Sequence, residues 1–128
     1  MKKPEQSVLI KGEIADYYFH EGILYSYSKS IKRTVQLIAE NVGLVKSIAG
    51  EKPVPLLIYL CDSPVPDQAT RKYSTEKLPE IYSAMAMVSK PGLSQLIMYI
   101  LFRFQNPPIP MKSFTNDEKA KKWLSQFL

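Results

Sequence analysis

A short uninterrupted apolar run, VPLLIYL at residues 54–60, is the feature that most constrains the fold. A run of this length without polar alternation is typical of a strand that is covered on both faces. In α/β proteins such a strand lies in the middle of a largely parallel sheet, between layers of helices. The rest of the chain is therefore expected to supply helices for both faces of this strand.

The segment before the run has the periodicity of a helix. Between residues 34 and 49 apolar side chains recur every three or four positions, which predicts an amphipathic helix. Thr34 is a suitable N-cap, and Gly50 is suited to end the helix. Gly43 lies inside the pattern, where we expect it to mark close packing against the sheet. The apolar stripe consists of Val35, Ile38, Val42 and Val45.

Further upstream, DYYFHEGILYSYS at residues 16–28 predicts a β-hairpin. Two aromatic-rich runs flank His20, Glu21 and Gly22, and the glycine supplies the positive φ that a tight turn requires. Residues 1–13 are polar and lack periodicity, so we expect a loose lead-in with room for one short strand near Val8, Leu9 and Ile10.

The segments after the apolar run alternate between helix and strand patterns. A polar helix is expected over residues 68–77, capped by Asp67 and terminated by Pro79. Thr115 and Glu118 form a capping box that starts a final helix. The other predicted elements are a buried strand at residues 83–89, a strongly hydrophobic helix at residues 93–104 and a last short strand at residues 111–114. The core-facing side chains of the final helix are Ala120, Trp123, Leu124 and Phe127.

These patterns give the order β-β-α-β-α-β-α-β-α, with about five strands and about four helices. Strands that alternate with helices predict a mixed, mainly parallel sheet with right-handed crossovers. At 128 residues the chain is long enough for one domain with its own core. We place that α/β domain at residues 14–128, after the lead-in at residues 1–13.

Composition argues against several classes of protein. The net charge is +5, but the 17 basic residues cluster only as pairs among 12 acidic ones, which favours a solvated surface over a nucleic-acid groove. One cysteine rules out an internal disulfide. Residues 1–13 meet charges before the apolar core of a signal peptide could form. The longest apolar run, residues 96–102, is far shorter than the roughly 20 residues of a membrane span. We therefore expect a soluble cytoplasmic protein.

Three segments carry a resemblance to a known family. They are KPVPLLIYL at residues 52–60, TRKYS at residues 70–74 and PPIPMKSFTNDEKAKKWLSQF at residues 107–127. The element order, with a hairpin in front, resembles the STAS-like fold of anti-sigma-factor antagonists. From Gly22 onward the chain resembles the SpoIIAA-like (STAS/SEC14-like) family of small uncharacterised bacterial proteins. The resemblance implies a STAS-like fold and carries no catalytic motif.

The resemblance also bears on phosphorylation. In the anti-sigma antagonists a serine at the start of the helix after the central strand is phosphorylated. Asp67 matches the aspartate near that serine, whereas Gln68 and Ala69 stand where the serines would be. The nearest hydroxyls, on Ser63 and Thr70, are displaced from the required position. The resemblance therefore implies a relative that lacks the phospho-acceptor at the matching place.

The loop after the central strand is the candidate regulatory or ligand-binding site. In α/β proteins ligand groups gather outside the carboxyl ends of the strands. Here this region holds Asp62, Ser63, Asp67 and Thr70. The two carboxylates could act as an acid–base pair or bind a hard cation, although a cation would require more oxygen ligands. Turn formation and helix capping explain the same residues, so both interpretations stay open.

No catalytic, cofactor-binding or metal-binding constellation is expected. His20 and Cys61 would have to meet to form a nucleophilic pair, and we expect instead a solvated turn histidine and a small buried cysteine. The sequence contains none of the common phosphate-binding, dinucleotide-binding, nucleophile-elbow or zinc-protease motifs. Ser89 and Lys90 precede a predicted helix whose N-terminus could hold an anion, but such helix ends are common.

The predicted helix at residues 93–104 carries large side chains on the face away from its core stripe. Met98, Tyr99 and Phe102 lie there, where a surface helix is normally polar. Three interpretations are open: coverage within the monomer, a protein interface such as a homodimer, or a groove for a lipid-like ligand.

The preferred hypothesis is a non-catalytic STAS-like module that binds a protein partner, as yet unknown, in a regulatory or structural role. A small-molecule or lipid-binding module is the first alternative, suggested by the SEC14-like side of the resemblance. An enzyme that uses the loop from Asp62 to Thr70 is the second.

Overall fold

The structure, a computed structural model, describes residues 8–89 and 107–128. These residues contain one sheet, three α-helices and a terminal 3₁₀ turn. The strands are β1 (Ile10–Lys11), β2 (Ala15–His20), β3 (Ile23–Ser28), β4 (Val54–Tyr59), β5 (Tyr82–Val88) and β6 (Met111–Phe114). The helices are α1 (Val35–Ala49), α2 (Gln68–Ile81) and α3 (Asp117–Leu124), and the 3₁₀ turn is Ser125–Phe127.

The six strands follow one another across the sheet in sequence order, from β1 to β6. β1, β2 and β3 pair antiparallel, whereas β3, β4, β5 and β6 pair parallel. The predicted mixed, mainly parallel sheet is thus confirmed. It has six strands instead of about five because Ile10–Lys11 adds an edge strand, inside the segment expected to be a lead-in. The helix expected at residues 93–104 lies outside the described residues.

The sheet is covered on both faces, as the apolar run at residues 54–60 predicted. Leu56 and Leu57 are neighbours in β4, point to opposite faces and are both fully buried. Leu56 joins the core under α1 and α2, and Leu57 joins the core under α3. Because β3, β4 and β5 run parallel, their carboxyl ends lie at a common edge of the sheet. The helices α1 and α2, which follow β3 and β4, begin near this edge and lie side by side on one face.

The hairpin at residues 16–28 is confirmed. β2 and β3 pair from Ala15 opposite Ser28 to His20 opposite Ile23, which leaves a two-residue turn. Glu21 and Gly22 both have positive φ, 50° and 83°, as a tight turn between twisted strands requires.

The helix termini match the predictions only in part. Thr34 caps α1, because its Oγ1 accepts a hydrogen bond from the backbone N–H of Leu37 at 3.1 Å. The predicted capping box at the start of α3 is wrong. Asn116 is the cap, and its Oδ1 accepts from the backbone N–H groups of Glu118 and Lys119. The Asn116 side chain lies one residue closer to the first turn than that of Thr115, and asparagine is an equally good N-cap.

Helix α2 continues beyond its predicted end. Pro79 lies inside the helix, which ends at Ile81 instead of near residue 77. Pro79 lacks an N–H donor and its ring crowds the carbonyl of Thr75, but the helix continues, and the backbone N–H of Tyr82 bonds the carbonyl of Leu78. Ile81 is buried against the sheet, and this packing stabilises the extra turn.

The two glycines predicted for α1 have different outcomes: Gly50 ends the helix with a φ of 92°, as predicted, whereas the role of Gly43 differs. Gly43 is exposed on α1, and nothing lies within 4 Å of the position that a Cβ would take, so the predicted close packing is wrong. The closely packed glycine is Gly12, between β1 and β2. A Cβ there would lie 2.6 Å from the carbonyl oxygen of Ala15 and 2.8 Å from Cδ2 of Leu44.

Candidate functional site

The carboxyl ends of β3, β4 and β5 meet at one edge of the sheet, which we call the carboxyl edge. The loops after β3 and β4, residues 29–34 and 60–67, form this edge together with Ser89. One contact ties the loop after β4 to the end of β3, because the thiol of Cys61 donates to the carbonyl oxygen of Ser28 at 3.2 Å.

The Asp67 carboxylate is the N-cap of α2. Its Oδ1 accepts from the backbone N–H of Thr70 at 2.8 Å, and the Thr70 hydroxyl supports the same carboxylate. These hydrogen bonds lower the pKa of Asp67. Thr70 is only 2% exposed, so its hydroxyl is occupied within the protein. Sequence analysis placed these two residues at a candidate site, and the structure brings them together as a cap.

The other two residues of the predicted loop site point away from the protein. Asp62 and Ser63 are exposed, within an irregular segment that also contains Pro64 and Pro66. Within the described part of the chain, no three His, Cys, Asp or Glu side chains come together as a metal site would need. The four residues of the predicted site thus comprise one cap and two solvated side chains.

Arg33 holds the carboxyl edge together, a role that the sequence did not reveal. Its Nη1 donates to the carbonyl oxygens of Lys29 and Ile31, both at 2.6 Å. Its Nη2 donates to the carbonyl oxygen of Ile14 at 3.0 Å and to Oγ of Ser28 at 2.8 Å. Burial lowers the pKa of this guanidinium. A planar donor fork can serve four acceptors at once, which an ammonium group cannot do.

His20 and Cys61 do not form a pair. His20 ends β2 beside the hairpin turn, whereas Cys61 contacts the opposite end of β3 at Ser28. His20 Nε2 lies 3.6 Å from the carboxylate of Glu21. Cys61 is half-buried and not fully buried as expected, because it lies beyond the end of β4.

A cavity of about 140 Å³ lies between the sheet and the helices α1 and α2. One of its walls is polar and deeply buried. The Tyr17 hydroxyl there donates to Oδ1 of Asn41 at 2.8 Å, and the hydroxyls of Ser26 and Tyr82 influence the pKa of Tyr17. Burial raises the pKa of both tyrosines, so both phenols are neutral near pH 7. The sequence places Tyr17 and Ser26 in the predicted hairpin, but no local pattern shows a cavity between them and Asn41.

The opposite face of the sheet carries a row of tyrosine rings. Tyr18 and Tyr25 stack at a centroid distance of 4.6 Å, and Tyr27 and Tyr59 stack at 4.9 Å. The Tyr59 hydroxyl donates to the carboxylate of Asp117 in α3 at 3.3 Å. Burial raises the pKa values of Tyr18 and Tyr59, so the row is a neutral packing surface.

Some predicted residues lie outside the described part of the chain. They are the anion-site candidate Lys90 and the interface candidates Met98, Tyr99 and Phe102. Among the described residues, no helix has the length and apolar character needed to cross a membrane.

Comparison with known proteins agrees with this architecture. The sequence model of a family described as Domain of unknown function (DUF7793) matches residues 17–128. A comparison with curated proteins finds no match. A solved structure from Shewanella loihica PV-4, an uncharacterised protein from the DUF3478 family with a SpoIIAA-like fold, is similar with a TM-score of 0.55 and 16% sequence identity. The similarity covers 97% of this chain and 98% of that one, which confirms the predicted fold. The chain therefore belongs to the DUF7793 family and has a SpoIIAA-like fold.

Proposed function

We propose that this protein is a non-catalytic STAS-like module that acts by binding another protein at its carboxyl edge. The observation that carries the proposal is the apolar surface of this edge. Val65, in the proline-rich loop at residues 60–67, is 63% exposed, and Val35, in the first turn of α1, is 40% exposed. Exposed apolar side chains on a loop held by a rigid scaffold are typical of a binding surface.

The surroundings of Val65 and Val35 suit a protein partner. After the hydrogen bonds from Thr70, the charges of Lys32 and Arg71 also lower the pKa of Asp67, so this edge carries charged groups of both signs. An apolar centre with a charged rim is the usual anatomy of a protein interface. Because the two prolines restrict the backbone of the loop, less conformational entropy is lost when a partner binds.

The distribution of reactive groups supports a role without catalysis. His20 lies at the hairpin end of the molecule, Cys61 at the carboxyl edge, and the exposed Asp62 is separate from the Asp67 cap. A catalytic site needs a nucleophile, a base and an orienting group within hydrogen-bond reach of one another. The cavity also falls short of the roughly 300–1,000 Å³ that drug-sized ligands or lipid chains require.

Site-specific photo-crosslinking tests the proposal. The full chain is produced in its native host with benzoylphenylalanine in place of Val65, and a matched chain carries it in place of Val8. Val8 is 75% exposed but precedes β1, and the antiparallel pairing of β1 with β2 directs it toward the hairpin end. We expect a discrete protein adduct at position 65, competed away by unmodified protein, and none at position 8.

Two results would contradict the proposal. No adduct at position 65 would show that the carboxyl edge binds no protein. An adduct at position 8 alone would place the interface at the hairpin end, where Phe19 and Leu128 are also exposed.

A further inference from the structure

The cavity between the sheet and α1–α2 has the chemical composition of a small-ligand site. Its walls are mainly apolar, and one of them brings together the hydroxyls of Tyr17, Ser26 and Tyr82 and the Asn41 amide. A largely apolar pocket with a few convergent polar groups is typical of small-molecule sites in general. The apolar walls are formed by Ile38, Val42, Leu56, Leu78, Ile81 and Met85.

The cavity volume sets the size of the ligand. At about 140 Å³ the cavity is close to the apolar cavity of about 150 Å³ that holds benzene in another protein. An acyl chain or a nucleotide is too large for it. A ligand with one ring and a single polar substituent fits.

The polar wall offers hydrogen bonds to one substituent of such a ligand. Tyr17 and Asn41 already bond each other through the Tyr17 hydroxyl and the Asn41 oxygen. The Asn41 amide also carries two N–H donors, of which the Tyr82 phenol accounts for at most one. One amide N–H therefore remains to donate to an oxygen atom of a ligand.

The cations of the cavity disfavour a charged ligand. Arg33 contributes to the lining, but its terminal nitrogens donate to four oxygen atoms of the protein. Lys77 is paired with Glu80 at 3.0 Å. Lys77 already has a carboxylate partner, and the terminal N–H donors of Arg33 are occupied by neutral oxygens, so the site offers an anion few free donors and would have to desolvate it.

We propose that this cavity binds a small neutral molecule, phenol-sized, with an apolar ring and one hydroxyl or amide group that accepts a hydrogen bond from Asn41. The cavity and the proposed contact at Val65 are separate sites, because Tyr17, Asn41 and Leu78 line the space between the sheet and the helices, whereas Val65 lies on the surface of the loop. Arg33 lies at the border of both.

Titration of the full chain with phenol, benzene and benzoate, followed by the methyl signals of isotope-labelled protein, tests the inference. We expect saturable shifts with phenol at the methyl groups of Val42, Leu78 and Ile81, weaker binding of benzene, and the weakest binding of benzoate. Failure of all three to give saturable shifts would show that the cavity holds only water, and tighter binding of benzoate would overturn the neutral-ligand assignment.

Two variants locate the bound probe. Ser74→Leu fills the cavity from α2 and should abolish phenol binding, whereas Ser47→Leu, on the exposed side of α1, should leave it unchanged. Asn41→Leu should weaken phenol binding about fivefold, the effect of one neutral hydrogen bond, without weakening benzene binding. If phenol binds Ser74→Leu and Asn41→Leu as tightly as the wild type, phenol binds outside this cavity, and the inference is overturned. If Ser74→Leu does not fold, the ratio of phenol affinity to benzene affinity in Asn41→Leu is the deciding measurement. A ratio equal to that of the wild type would overturn the inference. The crosslink at position 65 is not expected to change in any of these variants, so the two proposals fail separately.

Discussion

At the scale of single residues, the glycines of this chain show how different two positions with the same side chain can be. Gly43 has open space around it on an exposed helix, whereas Gly12 is enclosed by the backbone of Ala15 and the side chain of Leu44. At Gly43 the chain loses backbone entropy on folding without any gain in packing. At Gly12 the missing Cβ allows the Ala15 carbonyl oxygen and the Leu44 side chain to approach the backbone more closely than any other residue would permit. Sequence pattern alone assigned the packing role to the wrong glycine.

Alanine substitution separates these two roles. Gly43→Ala is expected to raise the free energy of unfolding by about 0.5–1 kcal/mol, because alanine is the better helix former and meets no obstacle. Gly12→Ala is expected to lower it by more than about 1 kcal/mol, because the new Cβ overlaps a backbone oxygen. Urea denaturation of both variants checks this. A destabilised Gly43→Ala would contradict the open environment of that residue.

At the scale of elements, helix α2 depends on its polar first turn. Few of its side chains are buried, so the cap made by Asp67 and Thr70 matters more than it would for a strongly amphipathic helix. The carboxylate also lies at the positive end of the helix dipole, which favours its charged form. Helix α1, in contrast, packs Val42, Val45 and Ile48 against the sheet, whereas Val35, which was predicted to belong to the same stripe, is exposed.

The cap makes stability depend on pH. The folded pKa of Asp67 lies below its unfolded value of about 3.9, so the carboxylate stabilises the fold above that pH. This contribution is lost as the pH falls through the folded pKa. Asp67→Asn keeps a capping oxygen but does not titrate. Its free energy of unfolding should therefore fall less steeply below about pH 4 than that of the wild type, in urea denaturation at a series of pH values.

The matched control for this measurement is Asp62→Asn, in the same loop but without a capping bond. The change of slope is expected for the Asp67 variant only. Equal slopes for the wild type and Asp67→Asn would show that the cap does not couple protonation to folding.

At the scale of the whole molecule, the sheet is stable only when both faces are covered. Helix α3 and the 3₁₀ turn after it complete the face that carries the tyrosine row. Trp123 contacts Phe114 of β6 and Phe127, and Leu124 packs into the core below. A short C-terminal segment thus supplies much of the apolar cover on this side.

Substitution of alanine for each of two C-terminal leucines measures how much this apolar cover contributes to the free energy of unfolding. Leu124 is fully buried, so Leu124→Ala is expected to lower the free energy of unfolding by about 3 kcal/mol through lost burial and a new cavity. Leu128 is 66% exposed, and Leu128→Ala should change it by about 0.5 kcal/mol or less. Denaturation followed by Trp123 fluorescence checks both values. Similar effects of the two substitutions would contradict the docking of α3.

The sequence by itself determined the class of fold and, from the hairpin onward, the order of the elements that the structure describes. It could do so because hydrophobic periodicity, caps at Thr34 and Asp67 and the Gly22 turn act over a few neighbouring residues. Tertiary structure alone decided which distant groups meet: the Arg33 fork that joins β2 to β3, the separation of His20 from Cys61, and the cavity beside Tyr17 and Asn41. These depend on contacts between residues far apart in the chain, and no local pattern encodes the distance between two side chains on different elements.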